Sequence, residues 1–175
     1  MRAVAAVVAL AGTLVLPSAA ASQEADPADV TSLDGIVEAV YDVISGPAGQ
    51  ERDWDRFRSL FVDGARLIPV GRPQGGPPRT RVMSPDDYAE SSGPFLVQNG
   101  FFEREIGRVT ERYGHIAHLF SAYESRRSAS DAEPFARGIN SFQLMHDGTR
   151  WWIVTIFWQG ESAEFPIPER YLRGG

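Results

Sequence analysis

Two aromatic-rich runs, FARGINSFQLM and TRWWIVTIFWQGE, flank His146-Asp147-Gly148 near the end of the chain. Asp-Gly between alternating apolar runs is a strong short-range signal for a β-hairpin, here closed by the two-residue loop Asp147-Gly148. That loop pairs Leu144 with Trp151, Phe142 with Ile153 and Asn140 with Thr155. Strand side chains alternate, so these six share one face with Phe157 and Gln159. The opposite face takes Ser141, Gln143 and Met145 with Arg150, Trp152, Val154, Ile156 and Trp158. The last strand is then apolar on both sides, and its second face needs a cover. A homodimer through Trp152, Val154, Ile156 and Trp158 is the expected cover, since apolar patches of this kind mark interfaces.

The segments before the hairpin predict helices first and strands later. Thr31, with Asp34 three residues on, has the pattern of a capping box. Leu33, Ile36, Val37, Val40 and Ile44 follow at helical spacing until Gly46-Pro47. A second helix starts near Asp53, with Trp54, Phe57, Leu60 and Phe61 as its buried stripe. Asp63-Gly64 turns into a short strand, Ala65 to Val70. Gly71 to Arg81, rich in Gly and Pro, reads as a surface loop or a lid. Ser84-Pro85-Asp86-Asp87 caps a third helix, which explains its paired acids without catalysis. Gly93-Pro94 is expected to break that helix near its middle. Phe102 to Glu111, Ile116 to Arg127, Phe135 to Met145 and Arg150 to Gly160 are strands at hairpin spacing. Helices followed by a meander predict an α+β fold with an antiparallel sheet over the helices.

Composition removes several kinds of chemistry. The 175 residues contain no Cys, and inspection finds no Lys, so all 17 cations other than His are Arg. Disulfides, thiolate nucleophiles, lysine Schiff bases and a phosphate-binding P-loop are excluded. The net charge of −6 disfavours nucleic acid as a partner. Arg2, the apolar stretch Ala3 to Leu16 and the small residues Ala19-Ala20-Ala21 form a signal peptide over 1–21. No later run is apolar enough to span a membrane, so an exported protein, periplasmic or secreted, without stable membrane insertion is expected. Residues 22–31 read as a disordered lead, 32–161 as one domain and 162–175 as a tail.

The order helix, helix, short strand, broken helix and long meander, ending in an aromatic-x-R-G-x-x-x-F-x-L…DGxxWxIVxIxW pattern, resembles the nuclear transport factor 2-like superfamily. Ketosteroid isomerases and SnoaL-like cyclases belong to it. The likeness covers about Leu33 to Gly160. It implies a cystatin-like cone: a curved antiparallel sheet around a pocket, closed by three N-terminal helices, commonly dimeric through the outer sheet. Tyr41 stands where ketosteroid isomerases keep an oxyanion-binding Tyr, and Asn140 where they keep a carboxylic acid. Their general base precedes Pro-Val-Gly; here Pro69-Val70-Gly71 follows Leu67-Ile68, so that base is missing. The family's parity turns Ala117, Leu119, Ser121 and Tyr123 inward.

The expected pocket set is therefore Tyr41, Ser121, Tyr123, Asn140, Thr155 and Gln159, all neutral. Such a set suits hydrogen bonding to a small apolar or neutral ligand, not proton abstraction near pH 7. The alternative is a lyase or isomerase using His118 as base, which requires the opposite strand parity. A third reading is an interaction module acting through the outer face. His115 and His118 point to opposite faces of a strand and His146 lies at the turn, so neither a metal site nor a cofactor is expected.

Overall fold

The computed structural model describes residues 24–71 and 76–172. The expected signal peptide at 1–21 and part of the expected lid, 72–75, lie outside the described residues. Among the described residues, four α-helices and six strands follow in the order α1 (Pro27–Val30), α2 (Leu33–Ile44), α3 (Trp54–Ser59), β1 (Phe61–Gly71), β2 (Arg79–Thr80), α4 (Pro85–Asn99), β3 (Phe102–Tyr113), β4 (Ile116–Arg126), β5 (Ala136–His146) and β6 (Trp151–Gly160). The strands form one curved, open sheet in the order β2-β1-β6-β5-β4-β3. The helices fill its concave face. Ile36, Phe57, Leu60, Leu119, Phe142 and Ile153 form the driest part of the core between them.

Local chemistry sets the helix starts. Ser32, one residue after the expected cap, accepts from the Gly35 amide at 2.9 Å. Glycine is required at position 35 because a Cβ there would lie 2.5 Å from the Ala28 carbonyl. That close approach packs α2 against α1, a turn of helix inside the segment expected to be disordered. Ala25, Ala28 and Val30 are too few and too small to show a helical period. What docks α1 is the burial of Val30 together with an ion pair from buried Asp29 to Arg56 of α3, at 2.8 Å. Asp53 caps α3 and Ser84 forms the expected capping box with Asp87. Gly93-Pro94 does not break α4, which runs on to Asn99. Gly93 instead makes room for Trp54, whose indole lies 3.1 Å from where a Cβ would be.

β6-β5-β4-β3 is the expected antiparallel meander, but β1 runs parallel to β6. The apolar run Leu67 to Val70 reads the same in either direction, and the long α4-β3-β4-β5 crossover that allows parallel pairing is a tertiary fact. Residues 162–172, within the expected tail 162–175, cover part of the convex face. Tyr171 packs on Phe120 at 5.2 Å, and its carbonyl would lie 2.5 Å from a Cβ at Gly107.

The hairpin departs from simple parity twice. Its connection is longer than two residues: the first ladder pair is His146 with Trp151. The Asp147 carboxylate accepts from the Thr149 and Arg150 amides and from the Trp152 indole at 2.7, 2.9 and 2.6 Å, which holds the wider turn. Leu144 therefore pairs with Ile153, and inward parity near the turn is kept. Val154 is then bulged, because Leu144 opposes Ile153 while Gln143 opposes Thr155. Beyond it every β6 side chain changes face. Ile156 and Trp158, expected outside, turn inward; Thr155, Phe157 and Gln159, expected inside, turn outward. The expected dimer wall thus loses two of its four residues. Val154 stays on the convex side at 36% exposure, and Phe157 joins it at 43%.

Candidate functional site

A cavity of about 230 Å³ lies between the concave face of the sheet and helices α2 to α4. Aromatic rings dominate its wall, among them Tyr88, Phe101, Tyr123, Phe135, Phe142 and Trp158. Tyr41, Tyr123 and Asn140 of the expected set line it. Ser121 is fully buried one layer behind, against the Tyr41 hydroxyl. Thr155 and Gln159 are not among the lining residues, for the register reason above.

The wall also holds a charged residue that parity placed elsewhere. Glu103 of β3 lines the cavity, and its carboxylate accepts from the Ser125 hydroxyl at 2.7 Å and from the Asn140 amide. Counting back from the Tyr113-Gly114 turn without interruption pairs Glu103 with Arg126 and Glu105 with Glu124, on the convex side. A bulge at Ile106 changes this: Gly107 pairs with Ala122, but Glu105 pairs with Tyr123 and Glu103 with Ser125. Both glutamates are thereby turned inward. Gly107 is the one available signal in the sequence, since an interior strand glycine often marks a bulge.

Burial pushes the Glu103 carboxyl up to about 7, while the Ser125 and Asn140 hydrogen bonds to its charged form pull the other way. The residue keeps some exposure on its other side, where it also borders an outer cleft of about 710 Å³ between α2 and β3. Burial also raises Tyr41, Tyr88 and Tyr123, and the Glu103 charge adds to each.

A continuous hydrogen-bond chain leaves this carboxyl. The Asn140 amide donates to the Tyr41 hydroxyl oxygen at 3.0 Å, and Tyr41 and Ser121 are 2.8 Å apart. Ser121 donates to Glu105 at 2.6 Å. Because the Ser121 hydrogen is committed to a carboxylate, the Tyr41 hydrogen must go to Ser121. Tyr41 therefore does not aim its hydrogen into the cavity in this arrangement. Glu105 is also raised by burial, partly offset by Ser121. Arg108 then links Glu105, at 3.5 Å, to Asp34 of α2.

His118 lies on the convex face, with Nε2 3.0 Å from the Ser141 hydroxyl and its ring edge-on to Phe120. The expected inward parity of Ala117, Leu119, Ser121 and Tyr123 holds. The alternative that needed His118 in the pocket therefore lacks its geometry; the carboxyl that lines the pocket is that of Glu103. Leu67, just ahead of Pro69-Val70-Gly71, lines the cavity with an apolar side chain. No cluster of three potential metal ligands occurs among the described residues.

No protein-family model and no curated protein matches the sequence. Solved structures do match. A cystatin-like protein of unknown function from Nostoc punctiforme aligns with TM-score 0.55 and 10% identity over 77% of this chain and 96% of its own. A nuclear transport factor 2-like protein of unknown function from Pseudomonas putida gives 0.53 and 8% over 73% and 82%. A proposed dehydratase of the same type from Streptomyces avermitilis gives 0.51 and 12% over 75% and 100%. The chain therefore has the nuclear transport factor 2-like, cystatin-like fold expected from its sequence. At these identities the likeness speaks to fold alone.

Proposed function

We propose that the cavity binds a small, mostly apolar organic molecule, and that the molecule's polar group docks on the Glu103 carboxyl beside Asn140. One observation carries this reading: a lone carboxyl, among the described residues, held by Ser125 and Asn140 in a cavity whose remaining wall is aromatic and aliphatic. Ligand sites combine an apolar lining with a few converging polar groups, and about 230 Å³ suits a ligand at the small end of that range. Compared with the neutral pocket expected from parity, the polar end is ionisable. Native mass spectrometry of the protein purified from its own host tests the reading. A retained small molecule, lost when Phe142→Trp fills the cavity, is the expected result. A ligand-free spectrum together with no binding from a library of small aromatic fragments would overturn it.

A second reading is favoured by the Glu103 value of about 7. A carboxyl poised there can take and return a proton at neutral pH. Glu103 would then be the acid–base group of an isomerase or lyase, in place of His118. Deuterium exchange at the α-carbon of small cyclic ketones, followed by NMR in D₂O, tests it. Protein-dependent exchange abolished in Glu103→Gln is expected; exchange unaffected by that substitution rejects it. Export after removal of 1–21 belongs to the same proposal, and the mature N-terminus after cell fractionation decides it. Pairing of subunits through the convex face would now rest on Val154 and Phe157, and analytical ultracentrifugation of the Phe157→Asp variant reads that out.

A further inference from the structure

We infer that the ligand of this cavity is an organic cation, a hydrophobic amine or quaternary ammonium compound whose charged head sits against Glu103 among aromatic faces. The inference rests on the pocket reading above and names its ligand class.

Three independent observations point the same way. First, charge: no Arg or His lines the cavity, and Glu103 makes no ion pair among the described residues. The groups that hold it, Ser125 and Asn140, are neutral donors. A buried carboxylate lacking a counter-ion is costly, and a cationic ligand supplies one. Second, the rings: Tyr41, Tyr88, Tyr123, Phe101 and Trp158 line the same cavity as Glu103, and Phe135 at its rim already stacks against the Arg127 guanidinium at 4.1 Å. The negative faces of such rings attract a desolvated alkylammonium group and repel an anionic head, which Glu103 repels as well. Third, the approach: the outer cleft shares Tyr41 and Glu103 with the cavity. Six acids line it, Asp34, Glu38, Asp42, Glu103, Glu105 and Asp131, against three arginines, so it stays acidic although Asp34 is paired with Arg108 and Asp42 with Arg56. That arrangement favours entry of a cation.

In the cavity the titratable groups with Glu103 are Tyr41 of α2, Tyr88 of α4 and Tyr123 of β4; on its cleft side it shares the lining with Asp34, Glu38 and Asp42 of α2, Arg104, Glu105 and Arg108 of its own strand, Arg126 of β4 and Asp131, while Trp158, Leu67 and Asn140 do not titrate. All three tyrosines are raised further above their ordinary value, so Glu103 sets the charge of the cavity near neutrality. With its carboxyl at about 7, the ionised fraction rises from about one tenth at pH 6 to about nine tenths at pH 8.

Isothermal titration of the mature protein with 4-phenylbutylamine, 4-phenylbutanol and 4-phenylbutyrate tests the inference. At pH 8 the amine should bind at least about tenfold tighter than the alcohol, and the acid weakest. Amine affinity should fall about tenfold from pH 8 to pH 6 while the alcohol's stays flat. In Glu103→Gln the amine should drop to the alcohol's level and lose its pH dependence. If that variant does not fold, the pH series on the unsubstituted protein decides alone. Alcohol binding as tight as the amine at pH 8 would overturn the cation inference and leave the pocket reading standing. Binding of none of the three would overturn the pocket reading and the inference with it.

Discussion

Replacing Glu103 by Gln should remove a defined slope from the pH dependence of folding stability. The folded carboxyl titrates at about 7 against the usual 4.5. Between those values the folded state holds a proton that the unfolded chain has released, so stability must fall as pH rises. The sign is the reverse of an ion-paired carboxylate: the contribution is intact below about 4.5 and lost as pH climbs through about 7. Integrating the linkage for this one group from pH 5 to pH 8 gives a loss of about 2.5 kcal/mol. A glutamine side chain keeps the shape and one acceptor oxygen but cannot ionise. Urea unfolding of both proteins at pH 5, 6, 7 and 8 provides the comparison, because other titrating groups, Glu105 included, are common to both and drop out of the difference. The Glu103→Gln variant should be relatively more stable at pH 8 than at pH 5 by about 2.5 kcal/mol, whatever its absolute offset. Parallel pH profiles, differing by less than about 0.5 kcal/mol across the range, would refute the burial of this carboxyl and with it the chemistry of the site.

Asn140→Leu removes a donor to the charged form of Glu103, so the carboxyl should titrate above its value in the unsubstituted protein, as read by carbon-13 NMR of the Glu side chains. Gly138→Ala would place a Cβ 2.5 Å from both the Gln159 carbonyl and the Tyr123 hydroxyl; a loss of about 1–3 kcal/mol in urea unfolding is expected, with Tyr123 displaced from the cavity wall. Buried Arg52 donates to the Ile44, Gly46 and Leu96 carbonyls at 2.9, 2.8 and 3.3 Å, tying the end of α2 to α4; Arg52→Met should cost about 2–4 kcal/mol in the same assay. Tyr41→Phe breaks the link between Asn140 and Ser121, and should destabilise by about 1–3 kcal/mol while leaving cavity volume unchanged in a crystal structure.

Much of the fold was legible because it depends on local rules. The stripe Ile36, Val37, Val40 and Ile44 makes α2, Ser84 and Asp87 cap α4, and alternation marks the four long strands. The cavity wall was half legible. Tyr41 and Asn140 do line it, since no irregularity in β5 itself separates Asn140 from the hairpin turn. Glu103 escaped notice, because between Phe102 and Arg104 it reads like any solvated strand residue. Thr155 and Gln159 turn outward because the bulge at Val154 breaks the uninterrupted count from the hairpin turn.

By itself the sequence determined the fold class, the Ser84 cap of α4, the order of strands in the meander and the absence of cysteine or lysine chemistry. These follow from side-chain periodicity and from which atoms are present. The tertiary structure decided which residues face the cavity. Parity counted from a turn survives only until a strand takes on an extra residue, and Ile106 and Val154 each do so. One inserted residue inverts every side chain beyond it. Whether a bulge forms depends on the strand alongside, the turn that sets its register and the core that must be filled, none of which is local. The bulge at Val154 brings Trp158 inward, and the bulge at Ile106 brings in Glu103. Together they turn a pocket that reads as neutral into one with an ionisable carboxyl among aromatic rings.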